Sequence, residues 1–455
     1  MEKTMMKDLT QGSVAKELLR FSFPFMLSNA LQTVYNLVDM VIVGQYVGSS
    51  GLTAVSIGGQ ITWLLCCLAI GYSSGGQIFI SQLVGAKDHQ GVKRTIGTTF
   101  TVISIFAVLF TILGIAFHEP LLNLLNTPAE AMEQARDYVV ICSAGMFFVY
   151  GYNTVSAVLR GMGDSTRPFV FIAIAAVLNV FLDILFVGPM NMGAGGAALA
   201  TSISQAVSFI IAMIYLYTHK ESFGFDFKLQ SFKIDKKTFA ALSKLGLPLT
   251  VQTSAINISM LFVSAGINTY GLVYASVYGI GSKLHSLMFI ITNSISTASS
   301  TMFGQNLGAN KYDRVKKIFW YGNLYCIVFF IFVAIACLGF PETIFRMFTQ
   351  DADVIAQAPH YMITMVVMFS GFATMTAGVA LINGIGNGSL SLITALLDGV
   401  IVRIGLCVLL AGPCNMGVWG YFWGNALAGY VSTIIGDFYY FTGAWKRRKL
   451  MVGHN

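Results

Sequence analysis

Charge is scarce in this chain. Asp, Glu, Lys and Arg make up 10% of its 455 residues, against roughly 25% in soluble globular proteins, while 55% are hydrophobic and the mean hydropathy is +0.71. So few charges cannot solvate a globular surface of this size, which excludes a soluble enzyme or a nucleic-acid-binding domain and leaves an integral membrane protein. Between Phe21 and Ala86 Asp39 is alone in carrying a charge.

Other absences narrow the class further. No Walker A stretch and no HExxH occurs, and the six His (His89, His118, His219, His285, His360, His454) are scattered, so neither nucleotide hydrolysis nor zinc chemistry has a motif to stand on and the protein is expected not to be an enzyme. The seven cysteines (Cys66, Cys67, Cys142, Cys326, Cys337, Cys407, Cys414) lack paired metal-ligand spacing and read as small core residues. The polar N-terminus "MEKTMMKDLTQGSVAKELLRFSF" has no short apolar core with a small-residue cleavage site, so the first span is expected to be retained. No cofactor is implied.

What is present is a series of apolar runs long enough to cross a bilayer, which takes about 20 residues each. Twelve candidate helices lie near 16–43, 52–80, 94–117, 134–159, 168–188, 194–218, 245–268, 274–300, 315–339, 355–383, 390–411 and 417–442. Of the 27 Lys and Arg, 23 fall in the N-terminal segment, the even-numbered connections and the tail, while the alternate loops are acidic or uncharged. The positive-inside rule then places both termini in the cytoplasm of a multi-pass cell-membrane protein, which an even helix count requires. The net charge of +7 is explained by this asymmetry and calls for no nucleic acid.

The halves repeat. "GAKDHQGVKR" at 85–94 matches "GANKYDRVKK" at 308–317, and "RGMGDS" at 160–165 matches "NGIGNG" at 383–388, both offset by 223. "GPMNMGAGG" at 188–196 matches "GPCNMGVWG" at 412–420, and Pro24 in "FPF" matches Pro248 in "LPL", both offset by 224. An even number of spans separates equivalent points, so two six-helix bundles run in the same direction. The expected division is an N-lobe at 1–218, a basic cytoplasmic linker at 219–244 and a C-lobe at 245–455.

Charges inside spans demand a partner or a purpose, since each costs at least about 2.5 to 3.5 kcal/mol near the bilayer centre on insertion scales. Ser28, Gln32, Tyr35, Asn36 and Asp39 recur at steps of three and four and share one stripe of the first helix. Pro24 upstream removes a backbone donor and loosens that helix. Asn179 and Asp183 lie four apart, and Thr201 on the sixth span is placed to face them. Two carboxylates, an amide and a hydroxyl suit Na⁺ as a hard-oxygen cage, and equally suit a shared proton.

The second half has Val263, Arg403 and Cys407 where the first has Asp39, Asn179 and Asp183. Asp398 and Arg403 are five apart, too far round an α-helix for ideal pairing, though Arg is long enough to reach. A structural ion pair and a transport role both remain open for them, as do snorkelling and cleft lining for Lys283. Asn257 lies on one face of the seventh span with Thr253, Ser264 and Asn268. Gln32, Asn36, Asn257, Lys283 and Arg403 are the candidates for a substrate cleft. The 21 Met, 35 Phe and 19 Tyr fit an adaptable apolar pocket as well as a lipid-facing surface.

Pro24 followed fifteen residues on by Asp39, the "QLVGAKD"/"QNLGANK" pair, "LRGMGDSTRP", "LNVFLDILF" and the duplicated twelve-helix layout together resemble the multidrug and toxic compound extrusion (MATE) transporters over essentially the whole chain. The resemblance implies a V-shaped pair of six-helix lobes exporting cationic or amphipathic small molecules in exchange for H⁺ or Na⁺ by alternating access. It implies that Asp39, Asn179, Asp183 and Thr201 form the cation site, that Tyr35 adjoins it, and that Pro24 marks a bend. NorM-like members carry acids in the C-lobe, notably in the seventh helix, where this chain has Gln252 and Asn257 and no acid; it looks closer to the DinF-like branch. A flippase for lipid-linked or polysaccharide intermediates is the rival reading, and a cleft with only Lys283 and Arg403 as cations favours it less. Small-molecule substrates, surrounding lipid and a monomeric state are the expected associations.

Overall fold

The computed structural model describes residues 6–448 and Leu450, so Lys3, Lys449 and His454 of the sequence reading lie outside the described residues. Those residues form an all-helical chain. The first six long helices are α1 (Val14–Tyr46), α2 (Ser49–Gly85), α3 (His89–Ala116), α4 (Ala129–Gly161), α5 (Thr166–Val187) and α6 (Gly193–Thr218). The second six places are filled by α7 (Lys236–Asn268), α8 (Leu272–Gly308), α9 (Tyr312–Gly339), α10 (Ala358–Ile385), α11 (Gly388–Ala411) and a pair, α12 (Val418–Ala428) and α13 (Tyr430–Phe441).

Nine of these helices are long and apolar enough to cross a membrane among the described residues. The exceptions have physical reasons. Helix α1 is diluted by its stripe from Ser28 to Asp39, and α8 by Lys283, His285 and a run of Ser, Thr and Asn. The last span is interrupted at Gly429 into pieces of 11 and 12 residues.

The duplication extends to the backbone. Pairs α1/α7, α2/α8 and α3/α9 have equal lengths of 33, 37 and 28 residues. Left-handed residues recur in register at Gly48 and Gly271 (φ 83° and 100°), Lys87 and Asn310 (58° and 55°), and Asn191 and Asn415 (51° and 54°). The glycines at 48 and 271 end the tight turns into α2 and α8, a conformation that side chains resist.

Helix α5 shows why the bundle folds with polar groups inward. Val170, Ile174, Val177, Phe181 and Ile184 are exposed, whereas Phe171, Ala175, Asn179 and Asp183 are buried. A bilayer solvates the first set, and the second must find partners within the protein.

Two compact units emerge, and their limits differ from the expected division. Phe23–Thr250 forms the body of one; Leu9–Ser22 joins Val251 onward in the other. The chain changes unit inside α1, beside Pro24, and again inside α7, two residues after Pro248. In the second unit Leu18 and Phe21 pack with Met302, Phe303 and Phe319. Arg314 donates to the carbonyls of Gly12 at 2.7 Å and Gln11 at 2.9 Å, and the Leu9 amide donates to Gln305 at 2.9 Å.

The segment after α6 also departs from the expected linker. It stops at Asp235, whose carboxylate accepts from the Thr238 amide and hydroxyl at 2.8 and 2.6 Å and so caps α7 at Lys236. Residues 219–235 are docked on α3 in the first unit. Lys93 pairs with Asp226 at 2.8 Å, and Thr101 donates to the Phe232 carbonyl at 2.6 Å.

Candidate functional site

The five residues singled out for cation coupling come together in the first unit. Asp183 is fully buried, Asn179 is 2% and Asp39 8% exposed, and Asp39 on α1 and Asp183 on α5 are electrostatic neighbours. Four turns of α1 carry Asp39 there from Pro24, whose carbonyl accepts from Ser28 at 2.9 Å. One turn of α5 separates Asp183 from Asn179, whose amide donates to Thr201 on α6 at 3.4 Å. Tyr35, Ala175, Asn179, Thr201, Ser204 and Gln205 line a small crevice.

Four oxygens here, Asp39 Oδ1, Asn179 Oδ1, Asp183 Oδ1 and Asp183 Oδ2, are buried without a hydrogen-bond partner. Leaving a buried acceptor unsatisfied costs about 1–3 kcal/mol, and more for a charged one. Two neighbouring buried carboxyls favour a shared proton or a nearby cation. The arrangement thus leaves buried acceptor oxygens with capacity for a proton or a cation. Among the described residues no group of three or more His, Cys, Asp or Glu is placed to hold a metal ion; the donors are two carboxyls, an amide and a hydroxyl, a set suited to H⁺ or a hard monovalent ion.

Sequence reasoning missed Ser204 and Gln205, which line the crevice together with Tyr35. Thr201, Ser204, Gln205 and Ser208 sit at steps of three, four and seven on α6, a polar stripe of the kind that revealed Asp39. Tyr138 and Cys142 on α4 are electrostatic neighbours of Asp39. A "GYSSG" stretch at 71–75 matches a nucleophile-elbow pattern but lies mid-helix in α2 with Ser73 2% exposed, without the strand-turn-helix such chemistry needs.

The cleft candidates scatter. Gln32 is half-buried, and Asn36, Asn257 and Lys283 are exposed. Asn257 is satisfied by its own helix, donating to the Thr253 carbonyl at 2.7 Å. Arg403, 3% exposed, is committed elsewhere. It donates to Asp398 at 2.9 Å and to Asn425 at 2.6 Å, and Ser432 donates to the other Asp398 oxygen at 2.6 Å. The five-residue spacing is no obstacle, because Leu397–Val402 is a π-helical stretch within α11. Its wider turn brings residues five apart onto one face.

An all-helical, duplicated membrane protein with a buried cluster of unpartnered polar groups in one repeat has the build of a membrane transporter. The MatE family model matches residues 24–185 and again 248–409, so the chain belongs to the MatE family. It is 30% identical over 455 residues to a probable multidrug resistance protein, YpnP, of Bacillus subtilis (strain 168), covering 98% of this chain and 99% of that protein. It is 23% identical to a probable multidrug resistance protein, NorM, of Thermotoga maritima, covering 96% and 95%. Among solved structures, an MOP superfamily transporter from Pyrococcus furiosus superposes with a TM-score of 0.91 at 23% identity, covering 98% of this chain and all of that one. A MATE transporter in the bent conformation superposes with a TM-score of 0.88 at 23% identity over 96% of this chain and 98% of that one.

Proposed function

We propose that the protein is a multidrug-type exporter that expels amphipathic or cationic small molecules in exchange for H⁺ or Na⁺. Asp39 and Asp183 are the coupling carboxylates, Asn179 and Thr201 complete the donor set, and Tyr35 closes its side. The observation that carries this reading is the cluster of four unpartnered buried oxygens on α1 and α5. An ion bound there biases the protein between cytoplasm-open and outside-open states by its differential affinity for the two. Pro24, where the chain changes unit within α1, is the hinge of that change. Both termini are cytoplasmic, and the working unit is a monomer.

The relatives' names as multidrug resistance proteins support the substrate class. The burial of Arg403 weighs against a cation-lined flippase cleft. Ethidium efflux from proteoliposomes under separately imposed Na⁺ and pH gradients tests the reading. One gradient should drive export in the wild type and neither should do so in Asp39→Asn; gradient-driven export by Asp39→Asn at the wild-type rate sinks the assignment.

A further inference from the structure

The Arg403 network occupies the second repeat's copy of the cation site. Asp164, two residues before α5, and Asn387, one residue before α11, each accept backbone amides of the turn that follows and are 223 apart. The helices end before Gly188 and Gly412, which are 224 apart. The second copy therefore has one more residue between these flanking positions, and the π-helical stretch Leu397–Val402 is where the backbone absorbs it. Counting from the start pairs Asp398 with Ala175, and counting from the end pairs Arg403 with Asn179. On the partner helix an offset of 224 pairs Asn425 with Thr201 and Ser432 with Ser208.

The contacts repeat with the positions. Asn179 donates to Thr201 between α5 and α6, and Arg403 donates to Asn425 between α11 and α12. Ser208 donates to the Phe171 carbonyl of α5 at 3.1 Å, and Ser432 donates to Asp398 of α11. Ala175, Asn179 and Thr201 all line the crevice of the first site. In the first repeat Asp39 Oδ1 and both Asp183 oxygens lack partners; in the second the carboxylate is held by a guanidinium and a hydroxyl.

We propose that Arg403 is a tethered cation, fixed in the place of the exchangeable ion, which closes the second unit to ions and sets the coupling stoichiometry at one site per chain. This rests on the reading of Asp39 and Asp183 as the ion-binding pair. A guanidinium cannot be deprotonated in a protein, so the second network holds one charge state while the first changes its own. The extra residue is what permits it: on a regular α-helix the two charges would diverge around the axis, whereas the π-turn stacks them.

Removing the tethered cation should open a new cation site built on Asp398. The test uses the full-length protein in detergent, measuring the thermal midpoint against Na⁺, with choline chloride holding ionic strength constant, and against pH without Na⁺. Asp39→Asn supplies a background in which the first site is disabled. On it, Arg403→Ala should add a midpoint that rises with Na⁺ or with falling pH, Arg403→Lys should add none, and Asp398→Asn on top of Arg403→Ala should abolish the gain. Arg403→Gln, which retains bulk and a donor for Asn425, is the second variant should Arg403→Ala fold poorly.

A response identical in the Asp39→Asn/Arg403→Ala and the corresponding Asp398→Asn triple variant overturns the proposal. So does failure of both the Ala and the Gln variants to give folded protein at every Na⁺ concentration and pH, because a site that accepts a cation would rescue them. Failure of the underlying reading looks different: Asp39→Asn alone would keep the wild-type response to Na⁺ and pH.

Discussion

Asp398→Asn removes one charge from a pair in which the side chains of Arg403 and Asp398 are 3% and 8% exposed. The substitution is nearly isosteric, so the amide oxygen can still accept from Arg403. What disappears is the charge that neutralises a buried guanidinium. Breaking a buried ion pair by removing one partner costs about 3–5 kcal/mol, and the retained hydrogen bond places this case near ~3 kcal/mol. A folding unit of roughly this size shifts its thermal midpoint by about 2–4 °C per kcal/mol, so Asp398→Asn should melt about 6–12 °C below wild type. Thermal unfolding in detergent measures it. Ethidium export below the melting transition should persist, because the network lies outside the proposed coupling cluster. Asp398→Asn/Arg403→Gln should recover most of the lost stability, since the penalty is the unpaired charge. Wild-type thermal stability together with abolished export would refute the reasoning, for Asp398 would then act in transport and not in holding Arg403.

Three further outcomes are expected. Thr201→Ala removes a hydroxyl donor from the coupling cluster; hydrogen bonds to charged groups contribute about 1.5–3 kcal/mol, so the driving-ion concentration needed for half-maximal export should rise roughly tenfold or more, and an unchanged value would exclude Thr201 from the site. Pro24→Ala restores a backbone donor within α1 and should slow export without lowering the thermal midpoint. In the linker, Lys93 and Ser231 beside Asp226 hold its carboxyl well below the usual carboxylate range. A depressed pKa contributes stability that is present above the unfolded value and lost only as pH falls through the folded one. Protease cleavage between 219 and 235 should therefore stay flat from neutral pH down to mild acid in the wild type and increase at neutral pH in Asp226→Asn.

Much of the fold was legible because membrane insertion writes coarse signals: apolar length, loop charge and the spacing of the duplicated motifs. The cluster of Asp39, Asn179, Asp183 and Thr201 was legible for the same reason, since each polar residue stood out against an apolar run and shared a helical face with another. Gln205 and Ser204 were overlooked although their stripe on α6 has the same period, because uncharged polar residues are ordinary at helix contacts in membranes. Asp398 and Arg403 lie five apart, too far round an α-helix for ideal pairing though within the reach of an Arg, so the sequence allows the ion pair without showing the backbone that aligns it. The step from 223 to 224 in the repeat offset held the clue, but an extra residue can be absorbed in a loop or in a turn, and only the backbone shows that α11 took it as a π-turn. The start of α7 at Lys236 was hidden by the basic residues around it, which marked a loop by charge while Asp235 marked a helix by capping.

The changes of unit within α1 and within α7 have a consequence for taking the protein apart. A cut in the linker at 224–235 separates the sequence repeats but neither structural unit: the N-terminal fragment would lack residues 236–250 of its own unit and carry Leu9–Ser22 of the other. Each fragment is thus an incomplete fold that exposes the apolar seat of a half-helix supplied by its twin. Duplication made two copies of a six-helix sequence, and the exchange of first half-helices makes each unit draw on a segment of the other copy.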